Sequence, residues 1–457
     1  MSLHSVNRRC SYIYWTLLSV LLVMPAWACF TSERAEILGK LHPDRDFEAL
    51  AHHMHHQHGI EYTWRGPAGC IDGMSDIFPC HGIELAGWLE IPELGGGSGN
   101  DNWGWYHAPS NRYFALMGRS NGVAFVEMTD PANPVFLGNL PRPAGVGNSV
   151  WADIKTYQDH AFIVADAVQG HGMQVFDLTR LLTVANPPTT FDADAHYTGF
   201  NRAHNIAINE QSGYAYVVGS EACAGGLYMI HIVDPLAPEF AGCFSDDGYT
   251  HDTQCVFYHG PDSRYHQREI CFASNEDTLT LVDVTAKANP QLIARHGYTQ
   301  SAYTHQGWLT EDQRFFVLDD ELDEVQFGLP GTRTLIFDLA DLEDPPEPAE
   351  YIADGLSIDH NQYVVGNYTF QANYKRGLRI LRLDDPVAGL LTEVAWFDTH
   401  PEEEGLGFSG AWNVYPFFDN GTVLVSDINR GLFVLRVTEP AVAATLTGDL
   451  IFADRFQ

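Results

Sequence analysis

A period of about fifty residues constrains this chain more than any other feature. One short apolar run recurs seven times. It reads Gly122-Val123-Ala124-Phe125-Val126-Glu127 in its first copy and returns at 172–177, 226–231, 278–284, 332–338, 377–382 and 431–436. In the clearest copy, similar runs at 249–256, 269–273 and 291–295 surround it, separated by turns such as Pro261-Asp262-Ser263 and Asn275-Glu276-Asp277. Short β-branched and apolar runs between Gly, Pro, Asn and Asp are strand signals, and connections this short make successive strands antiparallel.

A landmark residue opens each copy: Trp103, Trp151, His204, His251, His305, His360 and Trp412, separated by 48, 53, 47, 54, 55 and 52 residues. Four strands per period and seven periods predict an all-β fold, a seven-bladed β-propeller of four-stranded antiparallel blades. The seventh copy holds three strands and ends near Val437. The run Ile83-Glu84-Leu85-Ala86-Gly87-Trp88-Leu89-Glu90-Ile91 resembles the fourth-strand pattern at 134–140, so it is expected to pair with the last blade, closing the ring without an open edge.

The expected domains are a signal peptide at 1–28, a His-rich segment with a disulfide loop at 29–82, the propeller at 83–437, and a linker with a short tail at 438–457. Arg8 and Arg9, the apolar stretch 12–23 and Ala26-Trp27-Ala28 have the three parts of a secretory signal. The apolar stretch is too short to span a bilayer, and no other segment in the mature chain qualifies. Lipidation at Cys29 is the rival reading. A helix is expected at 33–41, and the tract 51–58, with five histidines, either binds Zn²⁺ or Cu²⁺ or is a polar surface segment.

Six cysteines remain beyond Cys10 and Cys29. The blade arrangement sets Cys255 beside Cys271 on adjacent strands, brings Cys223 and Cys243 to one blade edge, and lets Cys70 and Cys80 close a ten-residue loop. Buried free thiols are the competing reading. A formal charge of −34 argues against nucleic acid as a partner and favours solubility and cation binding.

Several segments resemble the choice-of-anchor B family of LVIVD-repeat proteins. They are the runs at 118–127, 249–255, 274–280, 304–313 and 359–363, among them Tyr249-Thr250-His251-Asp252-Thr253-Gln254-Cys255 and Asp359-His360-Asn361-Gln362-Tyr363. The resemblance covers roughly residues 70–437 and implies an exported, surface-attached propeller; it implies no chemistry. The last ten residues resemble short terminal tags of exported Gram-negative proteins, departing from them at Arg455 and Gln457.

In an antiparallel blade, the start of the first strand and the end of the second lie on one face, so the landmark residues should crowd one mouth of the channel. Asp166, Glu221, Glu276, Asp320 and Asp427 end the second strands there. His204, His251, His305 and His360, with Glu221, Glu276 and Asp320, are therefore candidate ligands for a divalent metal: Zn, Cu, Fe or Ca. A repeated position also repeats for packing, and each His has a polar follower (Asn205, Asp252, Gln306 or Asn361) that competes for the channel side. The acidic run Asp319–Glu324 lacks Ca²⁺-loop spacing and reads as a solvated loop. Gly-x-Ser-x-Gly and His-Glu-x-x-His do not occur. The favoured function is a non-catalytic surface module that binds a protein or glycan; the rival is a metal-dependent hydrolase or oxidoreductase at the His ring.

Overall fold

The computed structural model describes residues 66–448. The signal segment, Cys29, the helix expected at 33–41, the His tract 51–58 and the tail 449–457 lie outside the described residues. The described chain is a seven-bladed β-propeller, each blade built on four antiparallel strands. The seven innermost strands begin at Gly99, Ala152, Asn205, Asp252, Thr304, Gln362 and Ala411. Each packs on the first strand of the next blade, and Ala411–Tyr415 packs on Gly99–His107. The strand Ile83–Leu89 pairs antiparallel with Gly431–Val437, placing Leu85 opposite Leu435 and Trp88 opposite Phe433.

Hydrophobic alternation places the core between blades. Phe125 of blade one stacks on Phe176 of blade two at 4.6 Å, and Phe272 on Phe316 at 5.7 Å joins blades four and five. In blades one, three, four, six and seven the fourth strand slips register against the third by a bulge. A bulge bends a strand and strengthens its twist. In three of these blades the next residue is a glycine lying against the following blade's turn. A Cβ on Gly87, Gly138 or Gly242 would stand 2.3, 1.9 or 1.7 Å from the carbonyl oxygen of Pro131, Thr189 or Lys287.

Inner strands are clasped by polar side chains. Asp101 accepts from the Ile154 amide, Asp153 from Ile206, Gln254 from Leu309 and Gln306 from Gln362, at 2.7–2.9 Å. Each clasp satisfies a buried backbone donor and fixes the spacing between neighbouring blades.

The boundaries differ from the sequence reading at both ends. Phe78–His81 extends blade six beyond its fourth strand, with Cys80 opposite Phe397, so the sheets begin before Ile83. The supposed linker contains the helix Pro440–Thr447. Glu439 caps it by accepting from the Val442 amide, Pro440 suits its first turn, and Val442 and Leu446, four residues apart, bury one face against the core. Disulfides join Cys70 to Cys80, Cys223 to Cys243 and Cys255 to Cys271; the last pair lies directly opposite across the first two strands of blade four. Among the described residues no helix is long and apolar enough to cross a membrane.

Candidate metal centre

The four landmark histidines form a continuous arc. Ring centroids are 4.3 Å apart for His204–His251, 4.1 Å for His251–His305 and 4.4 Å for His305–His360; Trp412 continues the arc 4.8 Å beyond His360. All four imidazoles are buried. Their polar followers do not displace them: Gln306 clasps Gln362, and Asn205 donates through Nδ2 to the His251 carbonyl at 3.0 Å.

Trp103 departs from the predicted ring. In blade one Gly99 pairs with Arg119 and, after an irregularity, Asn102 with Met117, so the residues matching Trp412 are Asn100 and Asp101. Trp103 sits deeper, lining a cavity of about 40 Å³ in the channel with Lys155, Asp252, Trp308, Tyr363 and Phe417. Lys155 lies over the Trp103 ring at 4.5 Å and pairs with Asp153 at 2.5 Å. Burial, with the Asp153 charge behind it, pushes the Asp252 carboxyl up to about 7.

Hydrogen bonds on Nδ1 fix how these rings present themselves. His251 Nδ1 meets the His305 carbonyl at 2.8 Å, and His360 Nδ1 meets the Trp412 carbonyl at 2.5 Å. A carbonyl only accepts, so Nδ1 carries the hydrogen and, in the neutral ring, Nε2 carries the lone pair. His305 Nδ1 lies 2.9 Å from Asp319 Oδ1, an arrangement that orients metal-binding imidazoles in known sites. Burial pushes the Asp319 carboxyl well above its ordinary value against the hydrogen bond from Gln362, and the charges of Glu321 and Asp252 add to the shift.

Glu321 completes the site. Its carboxylate oxygens stand 3.9 Å from His305 Nε2 and 3.9 Å from His360 Nε2, and Oε1 accepts a 2.7 Å hydrogen bond from Tyr374. A separation of 3.9 Å is too long for a hydrogen bond and exceeds by about half an ångström the roughly 3.4 Å between two donors of a tetrahedral zinc with bonds of about 2.0–2.1 Å, so a bound ion would draw these side chains slightly together. Among the described residues, His305, Glu321 and His360 are the one set whose three donors lie within 4.8 Å of one another.

The other predicted ligands stand elsewhere. His204, at the far end of the arc, pairs with Asp166 at 3.1 Å. Burial opposes ionisation of Asp166, but the His204 hydrogen bond and Arg202 hold its pKa below the ordinary value. Glu221 accepts from the Asn201 side chain at 2.8 Å and from the Arg202 amide. The Glu276 backbone carbonyl accepts from the Thr304 amide at 2.7 Å, linking blades four and five. Asp320 is saturated by the amides of Ala302 and Tyr303 and the hydroxyl of Tyr298. Sequence reasoning missed Glu321 because His305 lies in a register shift: Thr304 faces Asp320, but Gln306 faces Asp319. The acidic run 319–324 carried the signal. It is buried, not solvated: the residues flanking Leu322 are at most 7% exposed.

No protein-family model matches the chain, and no curated protein does. Solved structures with similar folds include the Cps50 (Swd1) β-propeller domain of Myceliophteria thermophila, at 10% identity and TM-score 0.45, covering 75% of this chain and 97% of that one. Hydrazine synthase of Kuenenia stuttgartiensis aligns at 13% identity and TM-score 0.47, over 71% and 93% of the two chains. A protein from Lactobacillus plantarum also aligns at 13% and 0.47, over 73% and 91%. These likenesses concern the propeller alone.

Proposed function

We propose that this protein is an exported propeller that serves as a binding module and holds a divalent transition metal at one channel mouth, between His305, His360 and Glu321. The observation that carries the reading is the placement of Glu321 at 3.9 Å from both Nε2 atoms while each Nδ1 is engaged. Two imidazoles and one carboxylate suit Zn²⁺, Cu²⁺ or Fe²⁺. The acidic chain raises cation concentration at its surface. Export is supported by the signal-like residues 1–28 and by three disulfides, which form in oxidising compartments. Surface attachment and membership of the choice-of-anchor B family rest on the sequence motifs; the partner in this reading is a surface protein or glycan.

One observation favours metalloenzyme chemistry as a second reading. Three protein ligands leave a coordination position open, as in catalytic His₂Glu zinc sites.

Metal analysis tests the proposal, using untagged protein lacking residues 51–58 so that this tract cannot contribute. One equivalent of metal should be retained, be lost in His305→Ala and in His360→Ala, and persist in His204→Ala. Equal metal content in all four proteins, or none after loading with Zn²⁺, would overturn it.

A further inference from the structure

The cavity in the channel is built in two unlike halves. Trp308, Tyr363, Phe417 and Trp103, from blades five, six, seven and one, make a continuous aromatic wall, with ring centroids 4.9, 5.5 and 6.0 Å apart in that order. Blades two, three and four line the remainder with Lys155, Glu210 and Asp252. We propose that this cavity binds a small primary alkylammonium ion, its N–H groups donating to Glu210 and Asp252 and its alkyl stem lying on the aromatic wall. Glu210 follows Asn209, the last residue of its inner strand, and Phe417 lies two residues beyond Tyr415, the end of its own. The arc histidines stand at or just before the starts of the inner strands, so this site extends toward the other mouth and stands independently of a metal at His305.

Charge and hydrogen bonding both favour such a ligand. Lys155 is the one basic residue in the lining, and Asp153 at 2.5 Å and Asp101 at 3.8 Å already share its charge. Among the described residues, Asp252 accepts only from the amide of its neighbour Thr253, at 2.6 Å. Neither a donor nor a cation offsets the burial of Glu210, and its carboxyl is pushed up to about 7. Buried carboxylates need donors or a counter-charge. A primary ammonium supplies both, with three N–H groups on a compact head that suits a cavity of about 40 Å³. A quaternary ammonium has no N–H to give, and a hydrated metal ion leaves the aromatic wall unused. Ring faces attract ammonium groups, as the Lys155 ammonium over the Trp103 ring at 4.5 Å illustrates within the same cavity.

Calorimetric titration of the full chain with ethylammonium chloride, against matched NaCl, tests it. One saturable site is expected, with a dissociation constant of about 1–10 mM, within the ceiling for a ligand of so few heavy atoms. Glu210→Gln and Asp252→Asn should each weaken it at least about tenfold, as loss of one charge-assisted hydrogen bond does, while His305→Ala should leave it unchanged. Tetramethylammonium chloride should show no saturable binding to the unaltered chain, a comparison that needs no variant to fold. Equal affinity in wild type and both folded variants, equal binding of the two ammonium ions, or no saturation by about 100 mM ethylammonium overturns the proposal.

Discussion

At the residue scale, burial decides both what a group does and whether its position could be foreseen. Asp427 shows the energetic side. It is fully buried; Oδ1 accepts from the Asn429 and Arg430 amides at 2.9 Å, and the Thr399 hydroxyl lies beside the carboxyl. Burial raises its pKa from 3.8 to about 6. The folded state therefore binds this proton more tightly, and the resulting stability is present below about pH 4 and lost as pH rises through 6. That difference corresponds to about 3 kcal/mol. His400 acts with the opposite sign. Burial, then the Arg430 charge, lowers its pKa to about 4, so its contribution is present above the unfolded value of 6.5 and lost as pH falls through 4. Comparing wild type with Asp427→Asn separates the two. Urea unfolding should find them similar near pH 4 and the variant about 3 kcal/mol more stable near pH 7.5; an unchanged difference would refute this assignment.

At the element scale, the bulge in the outer strands makes glycine a packing requirement. Gly242 is the cleanest case, because its φ lies outside the left-handed region and only the close approach of the Lys287 carbonyl excludes a side chain. Gly242→Ala should cost about 1–3 kcal/mol in chemical denaturation, in line with overpacked sites; a cost below about 0.5 kcal/mol, the usual scatter of surface changes, would count against that role. The sequence signal for this element was partial. The run 83–91 resembles the fourth-strand pattern at 134–140 as a whole, and it pairs with Gly431–Val437 of the last blade. The helix Pro440–Thr447 was hidden by its small residues, which resemble a linker until Val442 and Leu446 are seen packed on the core. Glu321 was hidden by the irregular pairing around His305, since an extra residue on one strand changes which side chain faces the mouth. The polar followers were visible as polar, but their clasping of the next blade depends on inter-blade contacts that no local pattern records.

For the whole molecule, propeller symmetry turns residues about fifty positions apart into neighbours, which is why the histidine arc was legible from repeat spacing. The repeat does not dictate chemistry. His204 is tied to Asp166 and His251 to a backbone carbonyl, whereas His305 and His360 share one carboxylate, Glu321, between them. A ring that looks uniform in sequence therefore becomes an asymmetric centre between blades five and six. The most direct test is an anomalous diffraction map at the zinc edge, from crystals grown with equimolar Zn²⁺. The account predicts a peak within about 2.0–2.2 Å of His305 Nε2, His360 Nε2 and a Glu321 oxygen. A map with no peak at that mouth, or with zinc only on surface histidines, would contradict it.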